Sequence, residues 1–290
     1  MMYRLRTNSI AGVMALVLAA SLSADEGVDL YGRLIEEKAP ALVTVKFLLR
    51  LEGQFGKREV ESEITGMMID PKGMVLCANS RLGGGRRFGS ARPTDIKILI
   101  GDDIEGIDAT LIARDTELDL SWVRVKEPPA KPFAYIDLSA SANARAGEAL
   151  YTVRRMAKFF DRATTVTQGF LSGRTSKPRD LLIPGGGLNL EQGQPVFTAG
   201  GALVGVVVLQ LPEDEEMQSN PMAVMAMRND IVNGLILPAS RVLEATDRAR
   251  QSAAEDEEEG DDDDGANDES DDDAEGAKDV EKESDDGDEE

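Results

Sequence analysis

The chain of 290 residues contains 54 acidic and 32 basic residues, which gives a formal net charge of −22 at pH 7. Most of this charge lies at one end, because residues 255–290 hold 23 acidic and 2 basic residues while the rest of the chain is nearly neutral. The chain has no histidine and one cysteine, Cys77. These counts exclude an internal disulfide, a Ser-His-Asp or Cys-His arrangement, and a histidine-ligated zinc or iron site.

The two ends of the chain differ in composition from the body. Arg4 and Arg6 precede an apolar stretch, residues 10–22, that is shorter than the roughly 20 residues of a membrane-spanning helix. Small residues follow it up to Ala24, which predicts a signal peptide over residues 1–24 and an exported protein, periplasmic or secreted. An uncleaved anchor is the alternative. Residues 254–290 are almost free of large apolar residues and are predicted to be a disordered acidic tail.

The body shows many short strand-like segments separated by turns, which predicts an all-β sandwich or barrel. A helix is expected before the first strand, because Leu30, Leu34 and Ile35 follow helical spacing. The strands of the first unit, residues 25–127, are predicted at 41–49, 60–69, 74–76, 96–100, 107–113 and 120–125. An Asp-Pro-Lys-Gly turn separates the second strand from the third.

A proline-rich linker, residues 127–132, leads to the second unit, residues 128–253. Its strands are predicted at 149–153, 163–171, 181–183, 195–198, 202–211 and 234–237. Pro238 is suited to the first turn of a closing surface helix, in which Val242, Leu243 and Ala249 are candidates for burial.

Five segments carry motifs in an order that is typical of one family. They are residues 66–80, 114–123, 165–173, 193–207 and 234–238. Together they resemble the trypsin-like serine proteases of the HtrA/Deg branch. The resemblance implies two six-stranded antiparallel β-barrels with a short N-terminal helix, a C-terminal helix and no appended peptide-binding domain.

The resemblance places the family's catalytic histidine at Ser80, its aspartate at Asp119 and its serine at Gln192. Two of the three catalytic residues are therefore replaced. A glutamine amide cannot attack a carbonyl, and Ser80 has no imidazole to act as its base. Glu191 brings a negative charge to the place where an oxyanion would form. The chain is thus expected to be a non-enzymatic pseudoprotease that uses no cofactor and no metal, with Asp119 as a structural carboxylate.

Two basic loops are expected to border the former substrate cleft. The candidate binding residues in them are Arg81, Arg86, Arg87, Arg154, Arg155 and Lys158. The functional hypothesis is a cationic rim that binds an acidic partner or the protein's own acidic tail, and ordinary solvated loop charge is the alternative. No nucleic-acid partner is expected.

Three function classes remain open from the sequence. The leading hypothesis is a module that binds a protein or an extended peptide in the former substrate cleft. The second is a serine-type endopeptidase relative with residual or unorthodox hydrolase activity built on Ser80, Cys77 or a carboxylate. The third is a polyanionic module in which the tail binds cations or basic partners.

Overall fold

The computed structural model describes residues 27–53, 56–85, 89–90, 92–210 and 234–261. The chain divides into two units, residues 1–253 and 254–290. The predicted signal peptide, Arg86 and Arg87 of the candidate rim, and most of the acidic tail lie outside the described residues. Within the described residues, no helix is long and apolar enough to cross a membrane.

A helix, α1 (residues 27–38), comes first, as the apolar spacing predicts, and a short 3₁₀ turn at Ala39–Ala41 leads into the first barrel. Six antiparallel strands close this barrel in the order β1-β2-β3-β8-β7-β6. These strands are β1 (Leu42–Gly53), β2 (Gly56–Met68), β3 (Met74–Ala78), β6 (Pro93–Ile100), β7 (Ile107–Asp115) and β8 (Leu120–Val125). Two strands of two residues each, β4 (Gly84–Gly85) and β5 (Gly89–Ser90), pair in a separate small sheet.

The second barrel is also a closed ring of six antiparallel strands, in the order β10-β11-β14-β13-β12-β9. The strands are β9 (Ala149–Arg155), β10 (Thr164–Thr175), β11 (Leu181–Gly186), β12 (Pro195–Phe197), β13 (Leu203–Val208) and β14 (Leu235–Pro238). The prediction of two six-stranded antiparallel barrels is therefore confirmed. Along the chain, all strands of the first barrel precede the proline-rich segment at residues 127–132, and all strands of the second barrel follow it.

The core explains why the two barrels pack as one unit. Every residue of β13 is buried, because Val204 and Val207 belong to a cluster inside the second barrel while Leu203, Val206 and Val208 belong to the main cluster. The main cluster also includes large side chains of the first barrel and of both helices, namely Phe47, Trp122, Leu34 and Val242. The sequence of a strand that is buried on both faces is almost entirely apolar, and the sequence of β13 has this property.

The closing helix, α2 (Ala239–Asp261), packs on the first barrel through its apolar face. The indole N–H of Trp122 donates to the hydroxyl of Thr246 (3.0 Å), and that hydroxyl donates to the carbonyl of Val242 (2.8 Å). Val242 and Ala249 are buried, as predicted. The helix continues through residues 254–261, beyond the predicted start of the disordered tail, because alanine and glutamate extend a helix readily once its first turns are anchored.

Candidate functional site

Asp119 lies at the centre of a hydrogen-bond cluster at one end of the first barrel. It directly precedes β8 and has a left-handed backbone conformation, with φ of 59°, which aspartate adopts more readily than most residues. Its buried carboxylate accepts hydrogen bonds from the Ser80 backbone N–H (2.6 Å), the Ser80 hydroxyl (3.0 Å) and the Leu209 backbone N–H (2.8 Å). Asn79, Ser80, Asp119 and Leu209 are called the Asp119 cluster below.

Two opposing effects set the pKa of Asp119. Burial raises the pKa, and this is the larger effect, while the hydrogen bonds from Leu209 and Ser80 lower it. The Ser80 hydroxyl gives its hydrogen bond to the carboxylate, in the place where the resemblance expects an imidazole. The carboxylate therefore anchors Ser80 and the end of β13 rather than orienting a histidine.

Asn79, next to Ser80, joins the cluster to the rest of the barrel. Its buried side-chain oxygen accepts hydrogen bonds from Arg114 (3.2 Å) and from the Ser121 hydroxyl (3.1 Å), and its backbone N–H donates to the Asp119 carbonyl (3.1 Å). Cys77 is fully buried two residues earlier, and burial raises the pKa of its thiol to about 12. A thiol with such a pKa is a poor nucleophile at neutral pH because almost none of it is ionised.

Gln192 lies in the loop that leads into β12. The next residue, Gly193, has φ of 87° and donates its N–H to the Val207 carbonyl (2.8 Å). A Cβ atom on Gly193 would lie 2.9 Å from the backbone nitrogen of Ala78, so this loop touches the end of β3. The structure thus brings Gln192 to the same end of the first barrel as Ser80 and Asp119. The 190–194 loop denotes these residues below.

Gln194 is a buried polar residue that the sequence pattern does not single out as a site residue. Its side chain is 1% exposed, and its Oε1 accepts the backbone N–H of Glu191 (3.0 Å), while its own backbone N–H donates to the Glu191 carbonyl (3.1 Å). Its Nε2 is buried with no partner in the described part of the chain. The only sequence signal is a polar residue between Gly193 and an apolar strand, which does not reveal that the side chain folds back onto the loop.

The candidate basic residues in the described part of the chain, Arg81, Arg154, Arg155 and Lys158, do not form one free cationic surface. Arg81 pairs with Glu191 (2.9 Å), and Arg154 approaches the other oxygen of the same carboxylate (3.9 Å). Arg155 donates to the backbone carbonyl of Leu42 (3.2 Å), in the first barrel. Lys158 is exposed in a short 3₁₀ turn that also exposes two phenylalanines. The structure therefore brings Arg81 and Arg154 together through Glu191 and directs Arg155 elsewhere.

Acidic side chains do not gather into a metal site in the described residues. Within these ranges, no three histidine, cysteine, aspartate or glutamate side chains lie close enough together to hold a metal ion. The buried carboxylate of Asp119 instead receives donors from the chain itself.

Comparison with known proteins gives a result that agrees with this architecture. The family model of the trypsin-like peptidase domain matches residues 64–206, a range that contains Ser80, Asp119 and Gln192. The crystal structure of Deg5 aligns with a TM-score of 0.51 at 16% sequence identity, covering 77% of this chain and 92% of that chain. No curated protein matches the sequence. The chain has a trypsin-like fold that is similar to that of Deg5. An identity of 16% carries the fold and nothing beyond it.

In this trypsin-like fold, groups from both barrels meet at Asp119 and at Glu191. The aspartate is present, and it is bound to a serine hydroxyl instead of an imidazole. Gln192, where the resemblance places the family's serine, carries an amide, and Glu191 beside it is engaged with two arginines. These groups can donate and accept hydrogen bonds and pair with charges, but they lack the imidazole that makes a serine nucleophilic in acyl transfer. A shared fold does not supply that chemistry.

Proposed function

We propose that this protein is a catalytically inactive trypsin-like protein of the HtrA/Deg type that binds a protein or an extended peptide in its former substrate cleft. The support comes from the chain's own residues. It has no histidine, and the family's serine position holds Gln192. The N-terminal sequence pattern further supports a role outside the cytoplasm.

One observation carries the proposal most strongly. The carboxylate of Asp119 accepts both the backbone N–H and the hydroxyl of Ser80, together with the N–H of Leu209. A catalytic aspartate must instead hold an imidazole in the orientation that receives the nucleophile's proton. Here the same position stabilises two backbone segments, one from each barrel, so the cleft is kept in shape without keeping the catalytic groups.

The first experiment tests inactivity. The full-length protein is incubated with unfolded casein and with a fluorophosphonate probe that labels activated serines. We expect no cleavage and no labelling above that of the Ser80→Ala variant. Cleavage of casein that disappears in Ser80→Ala would contradict the proposal.

The second experiment tests binding in the cleft. Fluorescence anisotropy with labelled casein compares the wild type with Gln192→Trp, which adds a bulky ring at the position where the resemblance places the family's serine. The matched control is Lys131→Trp, an exposed position in the linker, at the end of the first barrel opposite to Ala78. We expect Gln192→Trp to weaken casein binding at least tenfold and the control to leave it unchanged. Equal binding by all three proteins would remove the cleft as the binding site.

A second candidate function, an unorthodox hydrolase, is favoured by one distance. The Ser80 hydroxyl lies 3.0 Å from a carboxylate whose pKa burial raises, and a raised pKa makes a carboxylate a better base. Fluorophosphonate labelling of Ser80 that is lost in Asp119→Asn would support this candidate over the binding module.

A further inference from the structure

An ion pair spans the cleft where the reacting groups of an active relative would lie. Arg81 follows Ser80, and Glu191 precedes Gln192, and their charged groups are 2.9 Å apart. Arg154, from β9 of the second barrel, reaches the second oxygen of the same carboxylate at 3.9 Å. Two cations thus converge on one anion, which leaves one positive charge in excess at this point.

Unused hydrogen-bond capacity lies beside this charge. The Nε–H of Arg154 is buried and has no partner in the described residues. Thr165, directly opposite Arg154 in the pairing of β9 and β10, has a buried hydroxyl that likewise lacks a partner there. Buried polar groups in native structures are nearly always hydrogen-bonded, so an unpaired donor and hydroxyl side by side indicate a missing acceptor.

The carboxylate of Glu191 can leave this position without disturbing the loop that carries it. The Glu191 backbone N–H is held by Gln194, and the neighbouring Gly193 N–H is held by Val207. The side chains of Glu191 and Arg81 are 29% and 44% exposed, and ion pairs of such exposure contribute little to stability. Another carboxylate can therefore replace that of Glu191 at low cost.

We propose that Arg81 and Arg154 form a carboxylate-binding site in the cleft, and that Glu191 occupies it until an acidic peptide displaces it. This inference rests on the proposed function, because it names the chemistry of the peptide that the cleft binds. Two guanidinium groups provide the forked donors that recognise carboxylates with two hydrogen bonds. The carboxylate is either an Asp or Glu side chain or the peptide's C-terminus, and both present the same two oxygens.

The test uses three fluorescein-labelled peptides with the full-length protein at 0.15 M NaCl. They are a hexaglutamate with an amidated C-terminus, an Ala-Ser hexapeptide with a free C-terminus, and the same Ala-Ser peptide amidated. We expect Arg81→Gln/Arg154→Gln to weaken the binding of at least one of the two carboxylate-bearing peptides, hexaglutamate or free Ala-Ser, at least tenfold. Glu191→Gln should tighten the binding of the same peptide about threefold or more. The matched controls are Arg174→Gln/Arg241→Gln and Glu244→Gln, which change the net charge equally but alter exposed ion pairs elsewhere.

The outcomes separate this inference from the proposed function. If the cleft variants change the affinity for the amidated hexaglutamate, the ligand is a side-chain carboxylate. If they change only the affinity for the Ala-Ser peptide with a free C-terminus, the ligand is the C-terminal carboxylate. If the control variants change affinity as much as the cleft variants, or if the amidated Ala-Ser peptide binds as tightly as the other two, the carboxylate site is refuted. In that case, casein binding that Gln192→Trp still abolishes leaves the proposed function standing.

Discussion

The two sides of the cleft are built with very different degrees of constraint. On one side, the buried Asp119 cluster is fixed by three hydrogen bonds to one carboxylate and by two more to the side-chain oxygen of Asn79. On the other, the 190–194 loop is held by Gln194 and Gly193, while its Glu191 makes a partly exposed ion pair. The first side is held by buried groups, whereas the charged contact of the second is partly exposed to solvent.

This difference separates a buried hydrogen-bond network that joins the two barrels from a partly exposed ion pair. Asp119 links the Ser80 turn to the end of β13, so its removal would disturb both barrels. Gln192, where the resemblance places the family's serine, lies in a loop whose hydrogen bonds come from its neighbours Glu191, Gly193 and Gln194. Four predictions test the contrast, from the largest expected effect to the smallest.

The first prediction concerns β3, the fully buried strand that leads into the Asp119 cluster and contains Cys77. With a pKa of about 12 instead of an ordinary value near 9, the thiol should react with iodoacetamide at pH 8 about a thousandfold more slowly than an exposed cysteine. Labelling followed by mass spectrometry measures this, with Ala140→Cys in a Cys77→Ser background as the exposed control. Equal rates for the two cysteines would show that this side of the cleft opens readily.

Replacing Asp119 should cause the largest loss of stability. Asp119→Ala removes the cost of burying the charge but leaves the N–H groups of Ser80 and Leu209 without their acceptor, and it places alanine at φ of 59°. We expect a loss of about 2–4 kcal/mol in the free energy of unfolding, measured with urea. Asp119→Asn, which keeps one acceptor oxygen and tolerates this backbone conformation, should lose about half as much. A loss below about 0.5 kcal/mol would contradict the structural role of Asp119.

The contact between the two sides is tested at Gly193. Gly193→Ala would place a methyl group 2.9 Å from the backbone nitrogen of Ala78 at φ of 87°, so we expect a loss of about 2 kcal/mol. Gly101→Ala is the control, because its φ is 61° and no atom lies within 4 Å of the added carbon. Gly101→Ala should lower the free energy of unfolding by only about 1 kcal/mol, which is the cost of a left-handed backbone conformation for alanine. Equal losses in the two variants would show that the 190–194 loop does not rest on β3.

The smallest effect should come from the ion pair across the cleft. Glu191→Gln should change the free energy of unfolding by less than about 0.5 kcal/mol, because the pair is partly exposed. Glu63→Gln is the comparison, since Glu63 pairs with Arg162, whose side chain is only 6% exposed, and its loss should cost about 2 kcal/mol or more. A reversal of this order would place the rigid part of the molecule on the Glu191 side.

The architecture could be predicted because it depends on local patterns. The alternation in 107–113 and the turn at residues 70–73 are properties of short segments, and both appear where they were expected. The resemblance carried by the family motifs predicts that these strands form two closed barrels, and they do. The placement of Gln192 near Ser80 followed from the same motifs, and the contact of Gly193 with Ala78 agrees with it.

The partners of the charged residues could not be predicted in this way. Arg81 and Arg154 were candidates for a free cationic rim, but both lie against Glu191, which is distant from them in the sequence. Arg155, adjacent to Arg154, instead donates to a carbonyl of the first barrel. The neighbours of a long side chain are set by which strands and loops converge, and sequence spacing does not record that convergence.

The sequence by itself determined the strand pattern, the order of the barrels and the absence of any imidazole, because each of these depends on residue identity or on short-range periodicity. Only the tertiary structure decided that the Ser80 hydroxyl donates its hydrogen bond to Asp119, that Gln194 holds the 190–194 loop, and that Glu191 bridges two arginines. The bonds at Asp119 and Glu191 join residues from different barrels, and the bond of Gln194 depends on the fold of a loop that rests between them. Such contacts form only when packing of the apolar core brings the two barrels together.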